Sequence, residues 1–218
     1  MNYKNIKVIA FDFDDTLCNR RKSIYYLYKS FLDEYLEKND DLLKEAILQD
    51  MIVHDQSGYV DKDYILKRIE EKYSVSFKDI SLSKYYRSRV SDFVILFDNT
   101  IETLNYLKEK YKVTIASNGY TDLQMKKIKS KLDVALFDDI LISSQCGYNK
   151  PDIRFFEEIE KRMCVSANEI LFIGDNFAND VMGPLNAGLN TVWLVDENIT
   201  TSYQGLKIYN IKELKKYL

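Results

Sequence analysis

The chain has 218 residues, 46% hydrophobic and 30% charged, which suits one α/β domain or a core carrying an insert and gives no reason to expect long disorder. Its formal net charge is −3 with Lys interleaved among Asp and Glu, which argues against nucleic-acid binding by charge, and no apolar run approaches the ~20 residues of a membrane span. Three widely spaced cysteines, Cys18, Cys146 and Cys164, form no CxxC pair and read as reduced thiols; with no leader-like opening stretch, the expected location is cytoplasmic.

Residues 6–13 are rich in β-branched and aromatic side chains, the texture of a strand buried on both faces of a parallel sheet. The texture then changes. In "SIYYLYKSFLDEYLEK", Ile24, Leu27, Tyr28, Phe31, Leu32, Tyr35 and Leu36 recur at steps of three and four, an apolar helical stripe. Helical patterns continue through "DLLKEAILQDMI", "DKDYILKRIEEKY" and "SLSKYYRSRVSDF", and no strand signal interrupts residues 20–92. From residue 99 strand and helix alternate: helix 99–110, strand "KVTIAS", helix from Asp122, strand "DDILISS", helix from Asp152, strand "EILFIGD", helix 178–187 and strand "NTVWLVD". Such alternation predicts an α/β fold with a doubly wound parallel sheet. The expected organisation is an α/β catalytic core of residues 1–18 and 93–218, interrupted by a helical cap of residues 19–92.

Ligands of open parallel sheets bind beyond the carboxyl ends of the strands, so residues that terminate strands are the informative ones. The first strand ends in Asp12-Phe13-Asp14, "KVTIAS" runs into Ser117-Asn118-Gly119, "DDILISS" leads on to Lys150-Pro151-Asp152, and "EILFIGD" ends in Gly174-Asp175 with Asp180 five residues on. Carboxylates crowded at one crevice repel one another unless a positive charge joins them, and Mg²⁺, held by a few oxygens, waters and a substrate phosphate, meets that need. Asp12, Asp175 and the backbone carbonyl of Asp14 are the expected ligands. The acidic pair of the first strand supplies a nucleophile and a general acid–base, Lys150 a point charge and Ser117 a hydroxyl donor. Phe13, Asp14, Ser117, Asn118 and Lys150 make up the expected phosphate-binding set.

The ordered series "DFDDT", "SNG", "KP" and "GDNFAND" resembles the four motifs of the haloacid dehalogenase superfamily of phosphohydrolases, carried here by Asp12, Asp14 and Thr16, by Ser117, by Lys150, and by Asp175 with Asp180. The resemblance covers residues 4–18 and 93–196, and the insert looks like that superfamily's helical cap by position and texture. It implies a Rossmann-like core in which Asp12 forms an aspartyl-phosphate, Asp14 protonates the leaving alcohol and then activates water, and Asp175 helps hold Mg²⁺. Asp180 and Thr16 then support the metal site and Lys150. Dehalogenases of the superfamily lack the second acid of the first motif and phosphonate cleavers replace it, so Asp14 argues against both. "SNGYTDLQMKKI" and "GYNKPDIRFFEEI" look similar to the branch of nucleotide and small sugar-phosphate phosphatases, pyrimidine 5′-nucleotidases among them.

The expected function is therefore a Mg²⁺-dependent phosphomonoesterase acting on a small phosphorylated metabolite, a nucleotide or a sugar phosphate, with no nucleic-acid or membrane partner. A monomer is expected, with a dimer as the alternative. The competing readings are a phosphomutase of the β-phosphoglucomutase type and a catalytically retired binding protein. Within the insert, "VHDQSGYV" breaks the helical period, and His54, Gln56 and Tyr59 on it are the expected substrate-selecting residues. Arg20, Arg21 and Lys22 read as a short solvated basic cluster, and the 17 Tyr as packing residues.

Overall fold

In the computed structural model, residues 5–37 and 40–218 are described. The chain divides into two compact units: Met1–Cys18 with Leu96–Leu218, and Asn19–Ile95. The second boundary lies at Ile95 rather than at 92, because backbone bonds tie Ile95 back to the start of the insert. Asn19 N–H donates to the Ile95 carbonyl at 2.8 Å, and Ile95 N–H donates to Ser23 Oγ at 3.0 Å.

The first unit is built on a six-stranded sheet in the order β3-β2-β1-β4-β5-β6, every neighbouring pair parallel. The strands are β1 (Val8–Phe11), β2 (Lys112–Ser117), β3 (Asp139–Ile142), β4 (Ile170–Gly174), β5 (Asn190–Leu194) and β6 (Lys207–Ile208). Between them run α5 (Thr100–Lys108), α6 (Thr121–Lys129), α7 (Ser143–Cys146), α8 (Ile153–Met163) and α9 (Gly183–Asn186). All four residues of β1 are buried, as its unbroken apolar run requires of a central strand. On one face Phe155, Phe156, Ile159 and Met163 of α8 pack against Val8, Ala10, Phe172 and Leu189. Phe156 meets Phe155 and Phe172 edge-on, each at 5.6 Å between centroids.

Three elements depart from the sequence pattern. Strand "DDILISS" stops at Ile142, and Ser143 opens a one-turn helix. The helix expected over 178–187 is a wide π-turn, Phe177–Met182, followed by α9. Pro184 lies just beyond that turn, and having no N–H it cannot continue an unbroken i→i−4 ladder. The two-residue edge strand β6 has no apolar run to announce it.

The second unit is helical among its described residues: α1 (Arg20–Tyr35), α2 (Asp41–Asp55), α3 (Lys62–Tyr73), α4 (Leu82–Arg89) and a 3₁₀ turn, Val90–Phe93. Its aromatic centre is Phe31, whose ring lies 5.1–5.3 Å from those of Tyr35, Phe77 and Tyr85. None of the described helices is long and apolar enough to cross a membrane.

Arg20 is not part of a solvated cluster. It is buried, as is Lys62, and the two grip the buried Asp55 carboxylate at 2.6 Å each, while Tyr28 Oη–H donates to it at 2.8 Å; Arg21 and Lys22 are exposed. Burial alone would raise the Asp55 carboxyl, but Arg20 and Lys62 outweigh it and hold it below the usual carboxylate range. Asp55→Ala strands two buried cations, and the expected cost is about 3–5 kcal/mol. A depressed carboxyl stabilises above its unfolded-chain pKa and stops doing so as pH falls through the folded value. Thermal melts of the two proteins should therefore differ most near neutral pH and converge on acidification. Equal melting temperatures at pH 7 would show that the cluster stabilises nothing.

Candidate active site

Register brings the strand ends together. Phe11 pairs with Ile115 of β2 and Ile173 of β4, and Asp12 N–H donates to the Ile173 carbonyl at 2.9 Å. Asp12, Ser117 and Asp175 thus emerge at one edge of the sheet. Beyond Asp12 the chain folds back at once: the Phe13 carbonyl accepts from Leu17 and Cys18 N–H at 3.0 and 2.9 Å, with Asp15 in the left-handed region at φ 55°.

Lys150 is the hub on one side. Its buried ammonium donates to Asp12 Oδ1 and Asp180 Oδ1, both at 2.7 Å, and sits 5.1 Å over the Phe172 ring. Burial alone would lower this ammonium's pKa; Asp12 and Asp180 together outweigh it and raise the value. Asn118 holds the Lys150 backbone from both ends, donating from Nδ2 to its carbonyl at 3.1 Å and accepting its N–H at 2.8 Å on Oδ1. Asp180, on the π-turn, accepts the Asn176 N–H at 2.9 Å on its other oxygen. It fits there only because residue 174 is glycine, since a Cβ at that position would overlap the Asp180 carboxyl carbon.

The carboxylates of Asp12, Asp175 and Asp180 each place an oxygen within 4.8 Å of the other two. Burial, then Asp12 and Asp180, push the Asp175 carboxyl up to about 8. Burial pushes Asp12 up to about 6, with Lys150 pulling against it. Three hard oxygen donors whose mutual repulsion one lysine leaves uncompensated are a donor set that fits a hard divalent cation. Asp180 enters this group by its side chain, where the sequence placed it in support. The Asp14 carboxylate is not part of it, and the sequence expected Asp14 to contribute its backbone carbonyl. Thr16 donates to Asp175 Oδ1 at 3.3 Å, and the Trp193 indole N–H donates to the Asp175 carbonyl at 2.7 Å.

The Asp14 carboxylate turns to partners on α6. Lys127 Nζ reaches both of its oxygens, at 2.6 and 2.5 Å, and Gln124 Nε2 donates to Oδ2 at 3.1 Å. The same Gln124 nitrogen lies 3.0 Å from Ser117 Oγ. The two acids of the first motif thus answer to two different lysines, Asp12 to Lys150 and Asp14 to Lys127. Sequence reasoning missed Gln124 and Lys127. Their three-residue spacing puts them on one helix face beside the buried Ile128, but nothing in "QMKKIK" separates Lys127 from its neighbours.

His54, Gln56 and Tyr59 belong to the helical unit. His54 is half-buried in the last turn of α2, while Gln56 and Tyr59 are exposed on a turn that runs through positive φ at Gln56, Ser57 and Gly58. The three cysteines are free thiols.

Residues 9–194 match the family model described as haloacid dehalogenase-like hydrolase. A glyceraldehyde 3-phosphate phosphatase of Methanothermobacter thermautotrophicus is 29% identical over 203 residues, spanning 89% of this chain and 88% of its own. A pyrimidine 5′-nucleotidase of Streptococcus pneumoniae is 30% identical over 112 residues, 50% of this chain and 47% of its own. The crystal structure of the HAD-hydrolase YfnB of Bacillus subtilis, bound to magnesium, superposes with a TM-score of 0.78 at 22% identity, covering 99% of each chain.

Proposed function

The chain belongs to the haloacid dehalogenase-like hydrolase family, and on that premise we propose that it is a Mg²⁺-dependent phosphatase of small sugar phosphates, working through an aspartyl-phosphate on Asp12. The observation that carries the reading is the Lys150-centred cluster, in which Asp12 is buried beside Asp175 and Asp180 at the strand ends. Support for a sugar phosphate over a nucleotide comes from coverage. Likeness to the glyceraldehyde 3-phosphate phosphatase runs through nearly the whole chain, while likeness to the nucleotidase stops at half.

In this reading Asp12 and Asp175, with the Asp14 carbonyl, would hold Mg²⁺, which when bound neutralises the carboxylates and the phosphate charge. Asp180 fixes the Lys150 ammonium beside Asp12. An Asp12 oxygen bonds to phosphorus as the ester P–O bond breaks, and Asp14 gives its proton to the departing alkoxide. Asp14 then takes a proton from water as that water's oxygen bonds to phosphorus and the bond to Asp12 breaks, releasing inorganic phosphate and restoring Asp12. Lys150 and the Ser117 hydroxyl bind the phosphoryl oxygens throughout. Phosphate release from a panel of triose phosphates, hexose phosphates and nucleoside monophosphates, with Mg²⁺ and with chelator, tests this directly. Triose phosphates should rank first with Mg²⁺, and a panel showing no Mg²⁺-dependent release sinks the reading.

The raised Asp175 carboxyl makes cation binding pH-dependent. With its value near 8, metal-free Asp175 carries a proton at neutral pH that the cation must displace. Apparent Mg²⁺ affinity should climb with pH and level off above about 8, with proton release measurable by calorimetry in buffers of different ionisation enthalpy. A raised carboxyl stabilises the metal-free fold below its ordinary range and ceases to do so as pH rises through the folded value. The melting-temperature gain on adding Mg²⁺ should therefore be larger above about pH 8 than near 6, and Asp175→Asn should abolish it. A gain that is the same at both pH values contradicts the assignment of Asp175.

A further inference from the structure

We propose that Gln124 and Lys127 are positioning residues for the reaction, orienting the Ser117 hydroxyl as a donor and anchoring the Asp14 carboxylate; the proposal rests on reading the site as a phosphatase. Both side chains are buried, Gln124 and Lys127 each 4% exposed, although each lies on a helix that presents Lys126 and Lys129 nearby. A buried ammonium and a buried amide must find partners, and what they find is the acid–base residue and the phosphate-binding hydroxyl.

The bonds form a chain with a fixed sense. Lys127 Nζ lies 2.8 Å from Gln124 Oε1, and an ammonium has only protons to give, so the amide oxygen must face it. That fixes the amide's orientation and turns Nε2 toward Ser117 Oγ at 3.0 Å, Asp14 Oδ2 at 3.1 Å and the Asn118 carbonyl at 3.3 Å. Ser117 therefore accepts from Gln124. Its own proton is left with the Asn118 carbonyl at 3.5 Å, the outer limit of a hydrogen bond, and a phosphoryl oxygen, which only accepts, is a better partner for it. Gly119 makes room for this approach. Its φ of +136° favours glycine, and a Cβ there would press on Gln124 Cγ at 3.1 Å. Lys127 also spans both Asp14 oxygens, so the acid–base group is held at two points by one cation and at a third by the amide.

Gln124 bonds both Ser117 and Asp14 while Lys127 bonds Asp14, so readouts of phosphate binding and of leaving-group dependence separate the proposal from simple packing. Gln124→Glu turns a donor into an acceptor that draws the Ser117 proton to itself. KM for substrate and the inhibition constant for inorganic phosphate should each rise about tenfold or more. Lys127→Met loosens Asp14, whose proton matters to an alkoxide but not to a stabilised phenolate. The ratio of kcat/KM for an alkyl phosphate to that for p-nitrophenyl phosphate should fall about 10-fold or more. Lys127→Gln, which keeps a donor for Gln124 without the charge, is the second variant should Lys127→Met fail to fold, and the same ratio should fall. Wild-type protein is assayed first with Mg²⁺: no phosphate release there overturns the phosphatase reading itself. If wild type turns over and the folded variants keep its KM, phosphate inhibition and alkyl-to-aryl ratio, the positioning role is overturned while the phosphatase reading stands.

Discussion

Asp12→Asn should release phosphate at least about 10⁴-fold more slowly than wild type while remaining folded. An amide oxygen does not attack phosphorus to give a stable acyl phosphate, so the chemistry has no first step. The fold should tolerate the change because Asn keeps an oxygen for the Lys150 ammonium, which also retains Asp180 at 2.7 Å. Removing one of three crowded carboxylates also takes away one of the charges that add to burial in pushing Asp175 up to about 8. The expected signature is thus a dead enzyme with an unchanged or higher melting temperature in the absence of Mg²⁺. Rapid acid quench followed by intact-mass analysis should find a phosphoryl adduct on the wild-type chain and none on the variant. Turnover of the variant near the wild-type rate would mean that another group, or water directly, attacks phosphorus.

What could be read from the sequence divides along a physical line. Asp12, Asp14, Ser117 and Asp175 were legible because a parallel sheet delivers strand ends to one edge, and each of them terminates a strand or follows one closely, whereas Lys150 lies beyond α7 and stood out by its place in the ordered motif series. The alternation that predicted the sheet is likewise local in sequence. Lys127 and Arg20 were not legible, and for the same reason. Each sits in a helix among other cations, and only tertiary contact, with Asp14 in one case and Asp55 in the other, distinguishes the buried charge from its solvated neighbours. The approach of the Asp180 carboxylate to Lys150, Asp12 and Asp175 depends on the π-turn before Pro184 and on the missing Cβ at Gly174, a backbone detail that composition does not encode. Asn118 read as a phosphate ligand, and nothing in the sequence shows that both ends of its side-chain amide grip the Lys150 backbone and set the lysine's position.

Asp14→Asn should lower kcat/KM on alkyl phosphates by about 10²–10⁴-fold, the usual span for losing a general acid–base. The loss should depend on the leaving group. Asn cannot protonate an alkoxide, so phosphoryl transfer to Asp12 slows most for the poorest leaving groups, while an activated aryl phosphate passes this step nearly unhindered. For the aryl ester the block then moves to hydrolysis of the aspartyl-phosphate, which still needs a base for the water. A rapid burst of phenolate equal to the enzyme concentration followed by a slow steady rate is the expected trace, where wild type gives a linear one. The ion pair adds a second, sharper expectation. If Lys127 works through Asp14, as its two contacts at 2.6 and 2.5 Å indicate, then adding Lys127→Met to Asp14→Asn should cost little more on alkyl phosphates than Asp14→Asn alone. Independent roles would instead multiply the two losses. Additivity would detach Lys127 from the acid–base step, and an Asp14→Asn enzyme equally active on alkyl and aryl esters would remove Asp14 from it altogether.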